Sequence, residues 1–399
     1  MKKVLSLVLA VLFVMTALVS CGGGTTEPAV TTDAAPATDA APAETTLLIG
    51  GIGPITGPAA TYGQSVKNGA QLAVDEINAA GGVNGMKLAL DFQDDEHDAE
   101  KSVNAYNALM DKGMKLLIGT VTSTPCVAVA AEAVKDNVFL LTPSGSAVEC
   151  IKNDNAFRIC FSDPNQGIGA ADYIADNAVA EKVAVIYNSS DVYSQGIYEK
   201  FNAEAQAKNL AVVAAEAFTK DSATDFSVQL QKIKDSGADL LFLPIYYQEA
   251  ALILEQAGKL GLEVKYFGCD GLDGIIDQLG AEKAALAEGV MLLTPFAADA
   301  EDEKTQKFTA AYKAAFDGAI PTQFAADGYD AVYTVKAALE MAGVHDGNIS
   351  ASDLCNALVK AMTEITVDGV TGEMTWDKGG EPTKTPKAMV IKDGSYAAM

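Results

Sequence analysis

From Thr46 onward the chain repeats one pattern: a short apolar run, a break at Gly, Pro, Asn or Asp, then a longer stretch with apolar positions at helical spacing. The runs at 47–52, 88–92, 115–119, 138–142, 183–187, 240–243 and 290–293 predict buried strands. Between most of them lie helices. Val66, Ala70, Ala73, Val74 and Ile77 fall on one face, Lys67, Asn68, Asp75 and Glu76 on the other, and Gly81-Gly82 follows as a stop. Similar helices are predicted at about 98–112, 126–135, 165–178, 195–208, 225–236 and 248–260. Strand and helix alternating this often predict an α/β fold with doubly wound parallel sheets, and the length calls for two of them.

The start of the chain follows other rules. Lys2 and Lys3 precede an apolar run from Val4 to Val14, and Leu18-Val19-Ser20-Cys21 follows. A basic start, an apolar stretch too short for a comfortable span and small residues before a cut site describe a secretory signal over residues 1–20. Leu-Val-Ser-Cys has the form of a bacterial lipobox, which makes Cys21 the expected lipidated first residue of the mature protein. An uncleaved anchor is the alternative. After Cys21, residues 22–45 are Gly, Thr, Ala, Pro, Asp and Glu with only Val30 as a sizeable apolar group, and Thr32–Ala37 recurs as Thr38–Ala43. Such a segment buries too little apolar surface to offset ordering and reads as a disordered linker spanning roughly 25–30 Å. The folded part is therefore expected to work outside the cytoplasm, held to the cell membrane by a lipid.

Composition narrows the partners. A formal charge of −25 repels nucleic acid, and no polybasic stretch is present to meet anionic lipid, so the membrane is expected to be met through the lipid anchor alone. Hydrophobic content of 49% with 7% aromatic residues suits layers packed through Ala and Gly. Cys126, Cys150, Cys160, Cys269 and Cys355 lack the spacing of a zinc site. Cys150 and Cys160 are close enough to close a small disulfide loop, which export permits; two buried free thiols are the alternative.

Catalytic chemistry is hard to find. There are two histidines, His97 and His345, and no G-x-S-x-G elbow, so neither a metal site, a triad nor a cofactor is expected. Gly51–Gly57 lacks the Gly-Lys-Ser/Thr of a phosphate loop and reads as a turn into a helix. Asp94–Asp98 lacks the alternating donors of a calcium loop and reads as a solvated turn with Asp98 as N-cap. Thr120–Pro125 opens a helix after a strand, where free N–H groups with the Ser123 and Thr124 hydroxyls suit a carboxylate. Thr142–Ser146 adds hydroxyls at the same carboxyl edge of the sheet, where open α/β sheets bind ligands. Ordinary helix capping explains both places equally well. Tyr193, Tyr246 and Tyr247 stand at later strand-to-helix junctions, and Asp270 sits between small residues at the end of another strand. An acid there can pair with an ammonium while the tyrosines wall off an apolar side chain.

These residues, in this order, resemble the leucine/isoleucine/valine-binding proteins of ABC importers, a branch of the type I periplasmic binding proteins. The resemblance runs from about Thr46 to near the C-terminus. It is carried by Gly57-Pro58 with Tyr62-Gly63, Ile77–Gly85, Asp94-Asp95, Ile118-Gly119, Thr142-Pro143, Asp270-Gly271 and Thr375-Trp376-Asp377. It implies two doubly wound lobes joined by three crossover strands and closing on a ligand by hinge motion. One lobe would comprise 46–162 plus 295–385 and the other 163–294 plus 386–399. It implies that Ser123, Ser144 and Ser146 meet the carboxylate and ammonium of an amino acid, that Asp270 pairs with the ammonium, and that Tyr193 and Tyr246 contact the ligand from the second lobe. Tyr62 and Phe324 match positions near the ligand side chain. Departures are an Asp at 270 where Glu is usual, Ser146 in place of Thr, and Ser144 in place of a small apolar residue. His97 and Thr122 occupy the places of the family's first-lobe disulfide. The implied function is that of a monomeric, non-enzymatic lipoprotein delivering an amino acid, branched-chain by resemblance, to the permease subunits of an ABC importer. A ligand-sensing module of a signalling system, a binder of another small amino acid or amide, and an extracytoplasmic enzyme are the alternatives.

Overall fold

In a computed structural model that describes residues 45–399, the predicted alternation becomes two parallel sheets. The first comprises β1 (Thr46–Gly53), β2 (Lys87–Asp94), β3 (Leu116–Gly119), β4 (Leu140–Thr142) and β5 (Ala156–Arg158), in the order β2-β1-β3-β4-β5. Register runs from Thr46 opposite Lys87 to Ile49 opposite Leu116 and Leu117 opposite Leu140. The helices threaded through it are α1 (Ala60–Ala79), α2 (Ala99–Asp111) and α3 (Ser123–Ala133). The Val66, Ala70, Ala73, Val74 and Ile77 face of α1 is buried, as its spacing requires.

The chain then crosses to the second sheet through α4 (Asp163–Asp176). That sheet holds β6 (Lys182–Asn188), β7 (Ala211–Phe218), β8 (Leu240–Leu243), β9 (Lys265–Gly268) and β10 (Met291–Thr294), with α5 (Val192–Ala207), α6 (Ser227–Ser236), α7 (Tyr247–Leu260) and α8 (Ile275–Lys283) between them. It returns through α9 (Glu303–Ala315), α10 (Gln323–Ala342), α11 (Ala351–Met362) and a hairpin of β11 (Val367–Gly369) and β12 (Gly372–Met374). It crosses once more to add β13 (Lys387–Lys392) and β14 (Ser395–Ala398) antiparallel to the second sheet, whose order is β14-β13-β10-β9-β8-β6-β7.

Both sheets reverse their winding beside their first strand, between β1 and β3 and between β6 and β8, so the loops that leave those strands part and form a crevice. Each sheet is covered on both faces. Ile49, Ile118 and Phe139 pack under α1, α10 and α11, while Ile52, Leu117 and Leu140 pack under α2 and α3. In the second sheet Leu241 and Leu243 face α7, and Phe242 stacks on Phe201 of α5. A fully buried leucine such as Leu241 contributes roughly 2 kcal/mol by leaving water.

Several expectations are corrected. The three crossings exist, but 159–162, 295–302 and 375–386 are turns and irregular chain, the last with one isolated bridge between Trp376 and Pro382. Cys150 and Cys160 are free thiols, because Cys150 points to Cys126 across the α3 interface while Cys160 lies beside Arg158. Asp98 caps α2 as expected, accepting from the Glu100 and Lys101 amides, but Asp95 in the same turn is fully buried and not solvated. Asp94 instead pins the 54–57 turn by accepting from the Ile55 and Thr56 amides and the Thr56 hydroxyl. The signal, Cys21 and the rest of the linker up to residue 44 lie outside the described residues. Among the described residues no helix is long and apolar enough to cross a membrane, and no cluster of His, Cys, Asp and Glu could hold a metal ion.

Candidate functional site

Every residue expected at the site except Phe324, which opens α10 after α9, stands at the carboxyl end of a strand or the first turn of the helix after it, and the loops of the two sheets meet there. Ser123 opens α3, whose N-cap Thr122 gives no side-chain cap and instead bonds the ring of His97 through its hydroxyl at 2.9 Å. The positive end of α3 is therefore left for another acceptor. The Ser123 hydroxyl accepts the Ala147 amide at 3.2 Å, which leaves its own proton free to donate. Ser144 is used within the protein, donating to the Val121 carbonyl at 2.6 Å and tying the loops after β3 and β4 together. Ser146 is fully buried and its hydroxyl has no well-formed partner.

The second sheet supplies the acid. Asp270 begins a short 3-10 turn after β9 and is 4% exposed. One carboxylate oxygen accepts from the Tyr193 hydroxyl at 2.7 Å, and the Asp270 amide donates to the Gln166 side chain at 3.0 Å. Burial pushes this carboxyl up from its ordinary 3.8 to about 6, against the lowering effect of Tyr193 and Gln166. Tyr193 stacks on Tyr246 with centroids 4.8 Å apart. Tyr62 lies 4.2 Å from Phe324 and meets Tyr246 edge-on at 5.5 Å, so the four rings wall one end of the cleft.

The same cleft holds residues that sequence reasoning missed. Asp163, the first residue of α4, is 2% exposed, and neither carboxylate oxygen has a well-formed hydrogen bond, the Ser146 hydroxyl being the donor beside it. The Ser146 hydroxyl lies beside it, Asp270 faces it, and burial pushes its carboxyl well up. Gln166, one turn further, has an unpartnered side-chain nitrogen. Ser146, Asp163 and Gln166 thus cluster around Asp270 as buried polar groups with hydrogen-bonding capacity to spare. Arg158, also missed, is buried beneath the loop after β4 and donates to the Gly145 and Ser146 carbonyls while pairing with Glu381 at 3.0 Å. Asp163-Pro164 has the look of an ordinary helix start, which conceals the acid's second use. Arg158 lies in a strand only three residues long.

The two halves are drawn together by contacts across the cleft. Thr124 donates to Asp191 at 2.8 Å, and the Tyr62 hydroxyl donates to the Gly271 carbonyl while accepting the Tyr247 amide at 3.1 Å. Lys220 and Asp98 approach to 4.0 Å at the rim. Chemically, the first sheet offers a hydroxyl proton and a helix N-terminus for an anion. The second sheet and the crossing into it offer two carboxylates for a cation.

Residues 46–395 match the family model for periplasmic binding proteins. The chain is 32% identical to the Leu/Ile/Val-binding protein BraC3 of Rhizobium johnstonii over 84% of this chain and 90% of that protein. Among solved structures, it is similar to the branched-chain amino acid transporter substrate-binding protein LivJ of Streptococcus pneumoniae in complex with isoleucine, with a TM-score of 0.79 and 30% identity over 89% of this chain and 98% of that one. A solute-binding protein of an ABC transporter from R. palustris in complex with benzoate shares the fold at a TM-score of 0.79 and 20% identity, covering 89% of this chain and 95% of that one.

Proposed function

The chain belongs to the periplasmic binding protein family, and from that premise we propose that it captures an amino acid, branched-chain in type, and delivers it to an ABC importer. The observation that carries this reading is the pair of buried carboxylates, Asp163 and Asp270, lying near each other with Ser146 and Gln166 beside them. Two carboxylates in one dry cleft repel, and an ammonium placed between them relieves both. The amino acid's own carboxylate then meets the Ser123 hydroxyl and the end of α3. Tyr62, Tyr193, Tyr246 and Phe324 enclose an apolar side chain. An aromatic acid without an amine leaves both aspartates unpaired, which argues against benzoate-like ligands for this cleft.

The proposed lobes are 46–162 plus 295–385 and 163–294 plus 386–399, with the ligand bridging them. Contacts made only when they close, such as Thr124 to Asp191, shift the equilibrium toward the closed form that a permease can read. The proposal includes anchoring through lipidated Cys21 with the protein acting outside the cytoplasm, as a monomer and without catalysis. The test is a calorimetric screen of the twenty common amino acids and benzoate. Heat of binding for leucine, isoleucine or valine is expected, with none for benzoate. Binding of benzoate and of no amino acid would overturn the reading.

A further inference from the structure

All five described cysteines are buried free thiols, and two of them, Cys126 and Cys150, share one hydrophobic cluster. Cys126 lies in the first turn of α3 and Cys150 in the 3-10 turn Val148–Ile151, both 0% exposed and within one hydrophobic cluster. The 3-10 turn packs its Cys150 sulfur against the first turn of α3, the turn that carries Cys126. The sulfur of Cys150 also donates to the Ser123 carbonyl at 3.7 Å. The Cys126 sulfur packs so close to Gly145 that a Cβ there would come within 3.0 Å of it. The other thiols have different surroundings. Cys160 lies beside Arg158, Cys269 near Asp270 and Asp163, and Cys355 on α11.

We propose that Cys126 and Cys150 are a dithiol that closes to a disulfide, clamping the first turn of α3 to the loop that carries Ser144 and Ser146. Both groups that face the ligand's carboxylate would then sit on one covalently closed frame. The Ala147 amide, which the Ser123 hydroxyl accepts, lies three residues from the proposed bond. The oxidant is a small-molecule disulfide, RSSR. The Cys126 thiolate attacks one of its sulfurs and releases RSH. The Cys150 sulfur then attacks the mixed disulfide, giving the Cys126–Cys150 bond and a second RSH, with two protons and two electrons leaving the pair. Cys126 is the first to ionise, because the neighbouring Cys150, Thr142 and Thr120 groups hold its thiol below the usual range. An exported protein meets such oxidants, so the setting rests on the extracytoplasmic reading, whereas the chemistry is tested without it.

The mature full-length protein is incubated with oxidised glutathione, denatured in iodoacetamide without reductant, and digested with trypsin. The expected product is the peptide 116–135 linked to the peptide 136–152. Recovery of both as singly alkylated peptides, or linkage of either to the peptide 159–182, overturns the proposal. A second measurement covers stability. Adding reductant is expected to lower the melting temperature by about 5 °C, and the Cys126→Ser/Cys150→Ser double variant is expected to melt alike with and without it. A reductant effect of the same size in that double variant also overturns the assignment. Neither readout involves the amino-acid ligand, so this inference and the transport reading fail separately.

Discussion

Replacing Asp270 with Asn separates what the acid does for the ligand from what it does to the fold. The carboxyl is 4% exposed and stands at about 6 where 3.8 is ordinary, because burial outweighs its hydrogen bonds. Holding it ionised at neutral pH therefore destabilises the folded chain by about 3 kcal/mol. Asn removes that penalty and weakens the bond from Tyr193, which is worth about 1 kcal/mol. The ligand-free variant is expected to melt a few degrees above the parent. Binding moves the other way. Removing one partner of a buried ion pair costs about 3–5 kcal/mol, and Asp163 remains as a second acid, so the lower end applies. Leucine affinity is then expected to fall roughly 100-fold. Calorimetry at pH 7.5 measures the affinity and differential scanning calorimetry the melting temperature. A folded variant with unchanged affinity would remove Asp270 from the ligand. A variant that melts well below the parent would show that the buried charge is not a burden on the fold.

Asp163→Asn is expected to weaken leucine binding about tenfold, and a double-mutant cycle with Asp270→Asn should show coupling above about 0.5 kcal/mol, as groups sharing one ammonium require; strict additivity would place the two acids on separate partners. Acid should stabilise the ligand-free protein. Asp270 and Asp273 stand at about 6, and Asp95 and Asp327 at about 7, all raised by burial, so between those values and 3.8 the folded chain binds more protons than the unfolded one. Stability thus rises as pH falls from about 7 toward 4, and a melting temperature lower at pH 5 than at pH 7.5 would contradict this. Leucine affinity should drop below pH 6, by up to about tenfold per pH unit, as Asp270 takes up a proton the ammonium must displace; titrations at pH 5 and 7.5 giving equal affinities would refute it. Thr124→Val removes the cross-cleft bond to Asp191 and should speed leucine release about fivefold in stopped-flow, with the melting temperature of the ligand-free protein unchanged.

The fold was legible where local pattern and burial agree. The runs at 240–243 and 47–52 became β8 and β1 nearly residue for residue, since strands covered on both faces read as unbroken apolar stretches. β7 escaped notice because it lies at the sheet's edge, half exposed, and is written mainly in alanine, a residue that also favours helices. β5 is too short to carry a period. Six of the eight expected site residues sit at or just after strand ends, while Tyr62 and Phe324 came from the family resemblance alone; Tyr193 and Asp270 are hydrogen-bonded, and Tyr62, Tyr246 and Phe324 are in ring contact. Ser144 has its hydroxyl turned to Val121. Asp163, Gln166 and Arg158 were hidden because their importance lies in what they lack or lie beneath. An acid before a proline and an arginine in a short strand signal nothing until burial is known.

Charge burial also explains why recognition and closure belong together. Asp270, Tyr193 and Tyr246 come from loops of the second sheet, Ser123, Ser146 and Tyr62 from the first, Phe324 from the start of α10, and Asp163 from the crossing that joins the sheets. Neither half alone can satisfy both ends of a zwitterion, because each presents partners of one sign. Bringing the halves together without an ammonium would desolvate Asp163 and Asp270 against each other, which opposes closure. An ammonium reverses the sign of that term, and the Thr124–Asp191 and Tyr62–Gly271 bonds can then form at little further penalty. On the proposed function, the two acids would act as a gate on closing as well as a grip on the ligand. A molecule lacking the amine meets the repulsion in full, and one lacking the carboxylate leaves the end of α3 unanswered.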